Sequence, residues 1–260
     1  MTDVLATVTR LLAAQTDALE LIGVASLALA AALLALHATS LVLAFAETRR
    51  PPAPAQAPAD APPVTVVRVL CGVEPTTAAT LLGTVSFDYP DVRPIFCVAR
   101  ADDPVIAHVR RAMAARPASG ARLLIGEDRV SANPKLNNMI KAWRAADTDL
   151  VLFLDSNLDA PRDYLARAVA ALGDEAAAAS APPLGLSPEN FAADIEAAFL
   201  NTHAARWQYA AHGVGLGFAQ GKTLLLARSR LPLGDLSALG DEPAEDAALT
   251  RLARAEGRDI

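Results

Sequence analysis

The stretch DLVLFLDSN, residues 149–157, decides how this 260-residue chain folds. Its apolar run has no polar residue on either face, as expected of a central parallel strand that helices cover on both sides. The run ends in Asp155, which Ser156 and Asn157 follow. In open α/β sheets ligands bind at the carboxyl ends of the strands. The stretch therefore predicts a doubly wound sheet and also the edge at which a site should lie.

Short apolar runs and helical patterns alternate on the amino-terminal side of this strand. Proline stands at or near the start of each helical pattern, where its missing amide hydrogen is not needed. Alternation at this spacing predicts an α/β fold with a doubly wound, mostly parallel sheet. We predict strands at 64–70, 93–99 and 121–126, and helices at 74–85, 104–116 and 134–146.

A long apolar segment precedes the α/β region. Residues 21–46 carry no formal charge, and about 20 apolar residues suffice to cross a bilayer. A cleaved signal peptide would have a shorter apolar region and a basic start; a buried helix of a soluble domain is the alternative. Asp17 and Glu20 precede the segment and Arg49 and Arg50 follow it. This asymmetry predicts a cytoplasmic carboxyl-terminal part.

Four regions follow from these patterns. The predicted linker contains PPAPAQAPADAPP and should form a semi-rigid spacer that sets the catalytic body away from the membrane. We expect a single-pass protein of a membrane such as the bacterial inner membrane. The regions are an amphipathic interfacial segment at 1–19, a transmembrane helix at 20–47, the linker at 48–63 and an α/β domain at 64–260.

Composition excludes some classes of function. The net charge is −6 and no basic block is present, which argues against nucleic acid as a partner. Cys71 and Cys97 lack the spacing of a metal site, and we expect both to stay reduced.

Acidic residues follow two of the predicted strands. Asp102 and Asp103 come after the second strand, and Asp155 and Asn157 after the fourth. Carboxylate and amide oxygens are hard ligands that suit a divalent cation held against a diphosphate. An Asp-x-Asn sequence is also a common turn opener, so the pattern alone leaves both readings open.

The chain from about residue 64 onward resembles ceramide glucosyltransferases, a lipid-glycosylating branch of the GT-A glycosyltransferases (family 21, similar to family 2). The pieces that carry the resemblance occur in family order. They are CGVEP (71–75), FDYPDV (87–92), ADDP (101–104), ARLLIGEDRVSANPKLNN (121–138), LFLDSN (152–157), NFAADIEAAFLNTH (190–203), the glycine-rich segment 213–221 and AED (244–246).

The resemblance implies a role for each matching residue. Asp103 would contact the nucleotide, and Lys135 would meet the donor phosphate or sugar. Asp155, with Asn157, would hold Mg²⁺ or Mn²⁺ at the diphosphate. Asp246 would be the general base that activates the acceptor hydroxyl. The implied reaction is an inverting transfer of a hexose from a UDP-sugar, UDP-glucose first, to the primary hydroxyl of ceramide or a related lipid.

Two departures from the family pattern qualify this expectation. Arg68-Val69 stands where the family has Lys-Pro. The family's Gln/Arg-x-x-Arg-Trp motif and its later membrane helices lie beyond the third aspartate, so we expect this sequence to be a fragment without them. A hopanoid or other lipid glycosyltransferase is an alternative, and so is an inactive, membrane-tethered nucleotide-sugar binder.

One further motif invites a different interpretation. GLGFAQGKT, residues 215–223, is similar to a phosphate-binding P-loop, but the first glycine of that pattern would fall at position 216, which is leucine. We therefore do not predict a P-loop there.

Overall fold

The structure is a computed structural model that describes the backbone of residues 2–240 and 244–260 and the side chains of residues 19–240 and 244–260. Within that part of the chain, six strands form one sheet in the order β3-β2-β1-β4-β6-β5. The strands are β1 Val64–Leu70, β2 Val92–Val98, β3 Arg122–Ile125, β4 Leu150–Leu154, β5 Ala178–Ala179 and β6 Thr223–Ala227.

The sheet is parallel except at one side. β1 pairs in parallel with β2 and β4, and β2 pairs in parallel with β3. β6 runs antiparallel to both β4 and β5. The predicted mostly parallel α/β sheet is thus confirmed, and the antiparallel β6 is an addition that the sequence patterns did not predict.

Helices follow the strands at nearly the predicted places. The helix after β1 begins at Thr77 and not at Glu74. Residues 74–77 form a turn, in which the amide of Thr77 donates to the carbonyl of Glu74 over 3.0 Å and the amide of Glu74 donates to Thr77 Oγ1 over 2.8 Å. The helices are α1 Thr2–Thr48, α2 Thr77–Thr84, α3 Val105–Ala115, α4 Pro134–Ala145, α5 Tyr164–Leu172, α6 Phe191–Ala198, the π-helix Phe199–Ala204, α7 Ala205–Gly213 and α8 Glu245–Ala255.

The central strand β4 is buried along its whole length. Val151 and Phe153 pack into a core with α4 and α8, where Trp143 is buried. Leu152 points to the opposite face and packs with residues of α5 such as Leu165. Alternate side chains of one apolar run therefore enter two cores, which is why β4 shows no polar positions.

Helix α1 contains the predicted membrane segment. Leu19–Thr48 is long and apolar enough to cross a membrane, with a mean hydropathy of 2.3. The helix is continuous over Thr2–Thr48, so residues 2–19 of the predicted interfacial segment belong to the same helix. Residue 1 and the side chains of residues 2–18 lie outside the described part of the chain.

The linker packs against the domain, and the domain lies next to α1; that the linker sets the domain away from a membrane stays a prediction. The linker runs along the domain surface, where Arg167 Nη1 donates to the carbonyl of Ala53 over 2.9 Å and Tyr89 donates to the carbonyl of Pro62 over 2.7 Å. The last turns of α1 contact α7, and Ala44 is buried there.

Candidate active site at the carboxyl edge of the sheet

β4 delivers Asp155 to the carboxyl edge of the sheet, as predicted. The turn that follows is held from below by Arg68, which is 1% exposed. Its Nη1 donates to the carbonyls of Asp155 and Leu158 over 2.5 and 3.0 Å, and its Nε donates to Thr84 Oγ1 over 2.8 Å. Burial lowers the pKa of Arg68 to about 10, against the opposing effect of the carboxylates of Asp155 and Asp159. Arg68 thus fixes the backbone that carries Asp155.

Lys135 enters the site from the first turn of α4. Asn133 caps that helix by accepting from the amides of Lys135 and Leu136 over 3.0 and 3.3 Å. The Lys135 ammonium lies 2.8 Å from Asp155 Oδ1 and 3.3 Å from Glu245 Oε1. Burial would lower the pKa of Lys135, but the two carboxylates outweigh it and leave that pKa raised. Lys135 is therefore held as a cation.

A second lysine, Lys222, flanks Asp155 from the other side. Its Nζ lies 3.3 Å from Asp155 Oδ2, and its carbonyl accepts from the amide of Asp155 over 3.0 Å. Lys222 immediately precedes β6. The Gly-Lys-Thr sequence there leads into a strand, whereas a P-loop leads into a helix, so the structure agrees with the rejection of a P-loop.

Asp246 meets this cluster at Gly221. The amide of Gly221 donates to Asp246 Oδ2 over 3.0 Å, and the carbonyl of Gly221 accepts from Lys135 Nζ over 2.9 Å. A Cβ at position 221 would lie 3.2 Å from Lys135 Nζ, which is closer than an ordinary van der Waals contact. It would lie 3.4 Å from Asp246 Oδ2, which is at the lower limit of such a contact. A side chain at position 221 would therefore press on the ends of the Lys135 and Asp246 side chains.

Glu245 is a site residue that the sequence analysis missed. Its side chain is 11% exposed, is paired with Lys135 and accepts from Asn133 Nδ2 over 3.2 Å. The Asp246 carboxylate, in contrast, is held by backbone amides. Of the two neighbouring carboxylates, Glu245 is the one bound to a cation.

Asp103 lies at the same edge of the sheet but apart from this cluster. Its carboxylate accepts from the amides of Gly72 and Val105 over 3.0 and 2.9 Å, which ties the loop after β1 to the start of α3. Across the described ranges 19–240 and 244–260, no hydrogen bond or ion pair joins Asp103 to Lys135, Asp155 or Asp246.

A cleft of about 400 Å³ opens beside the cluster. Asn157 and Lys222 line one wall, and residues 183–190 with α6 form the other. Among the described residues no group of three His, Cys, Asp or Glu side chains could hold a metal ion. Each carboxylate oxygen of Asp155 is paired with a lysine, Oδ1 with Lys135 and Oδ2 with Lys222. The metal-binding role expected for Asp155 and Asn157 stays a prediction; Mg²⁺ is commonly bound through one or two such side chains with substrate phosphates and water.

The sequence profile of glycosyl transferase family 21 matches residues 25–260, which include the whole cluster and its cleft. The chain belongs to glycosyltransferase family 21. Family 21 relatives include ceramide glucosyltransferase 1 of Caenorhabditis elegans, 28% identical over 71% of this chain and 40% of that protein. Ceramide glucosyltransferase 3 of the same organism is 25% identical over 92% of this chain and 52% of that protein. The ceramide glucosyltransferase of Komagataella phaffii strain GS115 is 34% identical over 42% of this chain and 22% of that protein.

A solved structure supports the fold of this family 21 chain. It is the mannosyltransferase PcManGT from Pyrobaculum calidifontis in complex with GDP-Man and Mn²⁺, with a TM-score of 0.56 and 20% identity over 86% of this chain and 61% of that one. The likeness shows the GT-A fold that the resemblance implied. The chain spans between 22% and 52% of the length of the three curated relatives.

Proposed function

We propose that this family 21 chain is the catalytic part of an inverting glycosyltransferase that transfers a hexose, glucose first, from a UDP-sugar to the primary hydroxyl of ceramide or a related lipid. The observation that carries the proposal is the meeting of Lys135, Asp155 and Asp246 around Gly221 at the carboxyl edge of the sheet. The names of the similar ceramide glucosyltransferases support the class of acceptor.

The donor half of the site has the charge that a diphosphate requires. The two lysines contribute +2 and the carboxylates of Asp155 and Glu245 contribute −2, so these four side chains sum to zero and Asp246 adds −1. A divalent cation shared by Asp155, Asn157 and the diphosphate would leave a net positive charge against the phosphates. That cation would offset the charge on the departing UDP. The complex of PcManGT with GDP-Man and Mn²⁺ is consistent with this assignment.

Asp103 completes the donor side in our proposal. It fixes Gly72 and the start of α3, which border the edge where the nucleotide would lie. We propose that its carboxylate positions this loop against the uridine.

Asp246 serves as the base in this proposal. The acceptor oxygen attacks the anomeric carbon, the bond from that carbon to the UDP oxygen breaks, and the hydroxyl proton passes to the Asp246 carboxylate. Configuration inverts because there is one displacement. A positioned base contributes on the order of 10²–10⁴-fold to the rate. Asp246 suits the task better than Glu245, because Glu245 is already paired with Lys135.

The membrane placement follows from α1. Leu19–Thr48 would cross the bilayer, and Arg49 and Arg50 directly after it favour the cytoplasmic side for residues 64–260. A lipid acceptor would then be presented at the same surface to which the catalytic domain is tethered.

Turnover with a matrix of donors and acceptors tests the proposal. The full-length protein in lipid nanodiscs is given UDP-glucose, UDP-galactose or UDP-glucuronate, each with ceramide or a hopanoid. We expect glucosylceramide with an inverted anomeric centre, read by nuclear magnetic resonance. Transfer only to the hopanoid would show that the acceptor is a hopanoid and not ceramide. UDP binding without transfer in any donor–acceptor pair would show that the protein binds a nucleotide-sugar without catalysing transfer.

A further inference from the structure

A second cavity, which we call the membrane-side groove, lies between the carboxyl-terminal half of α1 and α7. Its volume is about 1250 Å³, larger than the roughly 300–1,000 Å³ usual for small-molecule pockets. The α1 wall lies within the span Leu19–Thr48, so the groove is continuous with the surface that a bilayer would cover. That wall consists of His37, Leu41, Val42, Ala44, Phe45 and Thr48.

The opposite wall of the groove contains a positively charged side chain, that of Arg206. Arg206 of α7 places its Nη1 2.7 Å from His37 Nδ1. Its Nε is buried and has no hydrogen-bond partner among the described residues. An ionisable side chain against a membrane span is costly and usually has a function. Because a guanidinium only donates hydrogen bonds, Arg206 suits a ligand that presents oxygen atoms.

The groove borders the active-site cleft. Leu184 lines both cavities, and the cleft side of that border contains Asn157 and Lys222. The π-helix Phe199–Ala204 forms part of the dividing wall, since Leu200 lines the cleft and the next residue lines the groove. Single turns of π-helix occur frequently at functional sites. The two cavities thus share a wall, and a ligand in the groove lies next to the cleft.

We propose that the membrane-side groove binds the hydrocarbon chains of a neutral acceptor lipid, while Arg206 and His37 hold its oxygen-bearing amide and hydroxyl end beside the active-site cleft. The transfer step in this inference rests on the proposed function, whereas the lipid binding does not. Among the described residues that line the groove, one arginine and no lysine is present. That donor set is small for an anionic phosphate head group but sufficient for an amide carbonyl and a hydroxyl.

Photolabelling with a diazirine-bearing ceramide in phosphatidylcholine nanodiscs tests the binding directly. Val42 is 68% exposed and lines the groove, so Val42→Trp should fill it without disturbing the domain. Leu34 is also 68% exposed but lies outside the groove lining, so Leu34→Trp is the matched control. We expect the label on the groove walls, a loss of at least several-fold in Val42→Trp, and wild-type labelling in Leu34→Trp.

Arg206 is tested by separating acceptor from donor effects. Arg206→Met should raise the acceptor KM by on the order of tenfold, because a hydrogen bond from a charged group is lost. Donor affinity should stay at the wild-type value, Arg206→Lys should recover part of the loss, and Arg111→Met on α3 should behave as wild type.

Each outcome separates this inference from the proposed function. Equal labelling of the two tryptophan variants would overturn it, as would displacement of the probe by phosphatidylglycerol but not by unlabelled ceramide. An unchanged acceptor KM in Arg206→Met would also overturn it. Groove labelling without turnover of any UDP-sugar would leave the inference standing and refute the proposed function.

Discussion

Arg68 should be the residue on which the geometry of the candidate site depends most. It stands 1% exposed beneath the turn after β4, and its Nη1 donates to the carbonyls of Asp155, Ser156 and Leu158 over 2.5, 3.3 and 3.0 Å. Arg68→Met keeps most of the side-chain length and its apolar contacts. It removes the three hydrogen bonds that Arg68 donates to that turn.

The magnitude follows from what is left behind. A buried acceptor that loses its donor costs about 1–3 kcal/mol. The Leu158 carbonyl loses its donor outright, whereas the Asp155 and Ser156 carbonyls keep bonds from Leu158 N and Thr80 Oγ1. Removing the buried charge itself offsets part of this loss, because burial has already lowered the pKa of Arg68 to about 10. We expect a net loss of about 2 kcal/mol in the free energy of unfolding. For a domain of this size that corresponds to a Tm about 4–8 °C lower.

Thermal unfolding of the full chain in detergent, followed by tryptophan fluorescence, measures this effect; Trp143 is buried in the core that packs on β4. Arg122→Met is the matched control, since Arg122 is exposed and donates to one backbone carbonyl, that of Ala145, over 2.8 Å. UDP affinity should fall in Arg68→Met because Asp155 loses its support. Arg68→Lys should rescue little, because one ammonium does not reproduce the fork of a guanidinium. A Tm for Arg68→Met within about 2 °C of the Arg122→Met value would refute the reasoning.

Four other outcomes follow from the site and from α1. Asp246→Asn keeps the size of the side chain but removes the proton acceptor and one of the two oxygens that accept from backbone amides. Turnover should fall by about 10² or more, while UDP-sugar affinity stays near wild type and Tm falls by about 2–4 °C; retained turnover would reduce Asp246 to a helix-terminal residue. Asp155→Ala should abolish metal-dependent UDP binding, and calorimetry showing equal affinity with and without Mn²⁺, matching wild type, would remove it from the site. The raised pKa of Lys135 means that its ion pairs stabilise the fold fully at pH values below 10.5, the ordinary pKa of lysine, and that this stabilisation is lost as the pH rises further. The Tm difference between wild type and Lys135→Met should therefore shrink above that pH. A constant Tm difference would contradict the pairing. A reporter fused after Ile260 should be active in the cytoplasm, and activity only in the periplasm would reverse the topology predicted from Arg49 and Arg50.

The strands of the sheet could be predicted from the sequence where a run of apolar residues indicates that the strand is buried. The apolar run in residues 149–154 predicts a central strand, because both faces of β4 are covered. The helix after Asn133 is predicted by its capping residue and by Pro134. The direction of β6 could not be read in this way. TLLLA, residues 223–227, is buried at every position, and an apolar run has the same pattern whichever way the strand runs. Only the tertiary structure shows that it pairs antiparallel with β4.

Some residues of the candidate site could likewise be predicted from the sequence, and others could not. Asp155 could be placed from the end of its strand, and Lys135 and Asp246 from the resemblance to the family. Lys222 and Arg68 could not be found, because each reaches Asp155 through a contact between segments distant in the sequence. Glu245 was missed although it adjoins Asp246, because the sequence does not show which of two neighbouring carboxylates on α8 faces Lys135.

The antiparallel β6 explains why one short segment joins the membrane side of the protein to its active site. Glu47 near the end of α1 lies 3.8 Å from His212, in the last turn of α7. From there the chain runs through residues 214–220 to Gly221, whose amide and carbonyl bind Asp246 and Lys135. A parallel strand at this place would begin at the opposite edge of the sheet, so its approach would avoid the site. Because β6 instead starts beside Asp155, the loop that leaves α7 must pass through the candidate site, and one short segment therefore links the helix that packs on α1 to the carboxyl edge of the sheet.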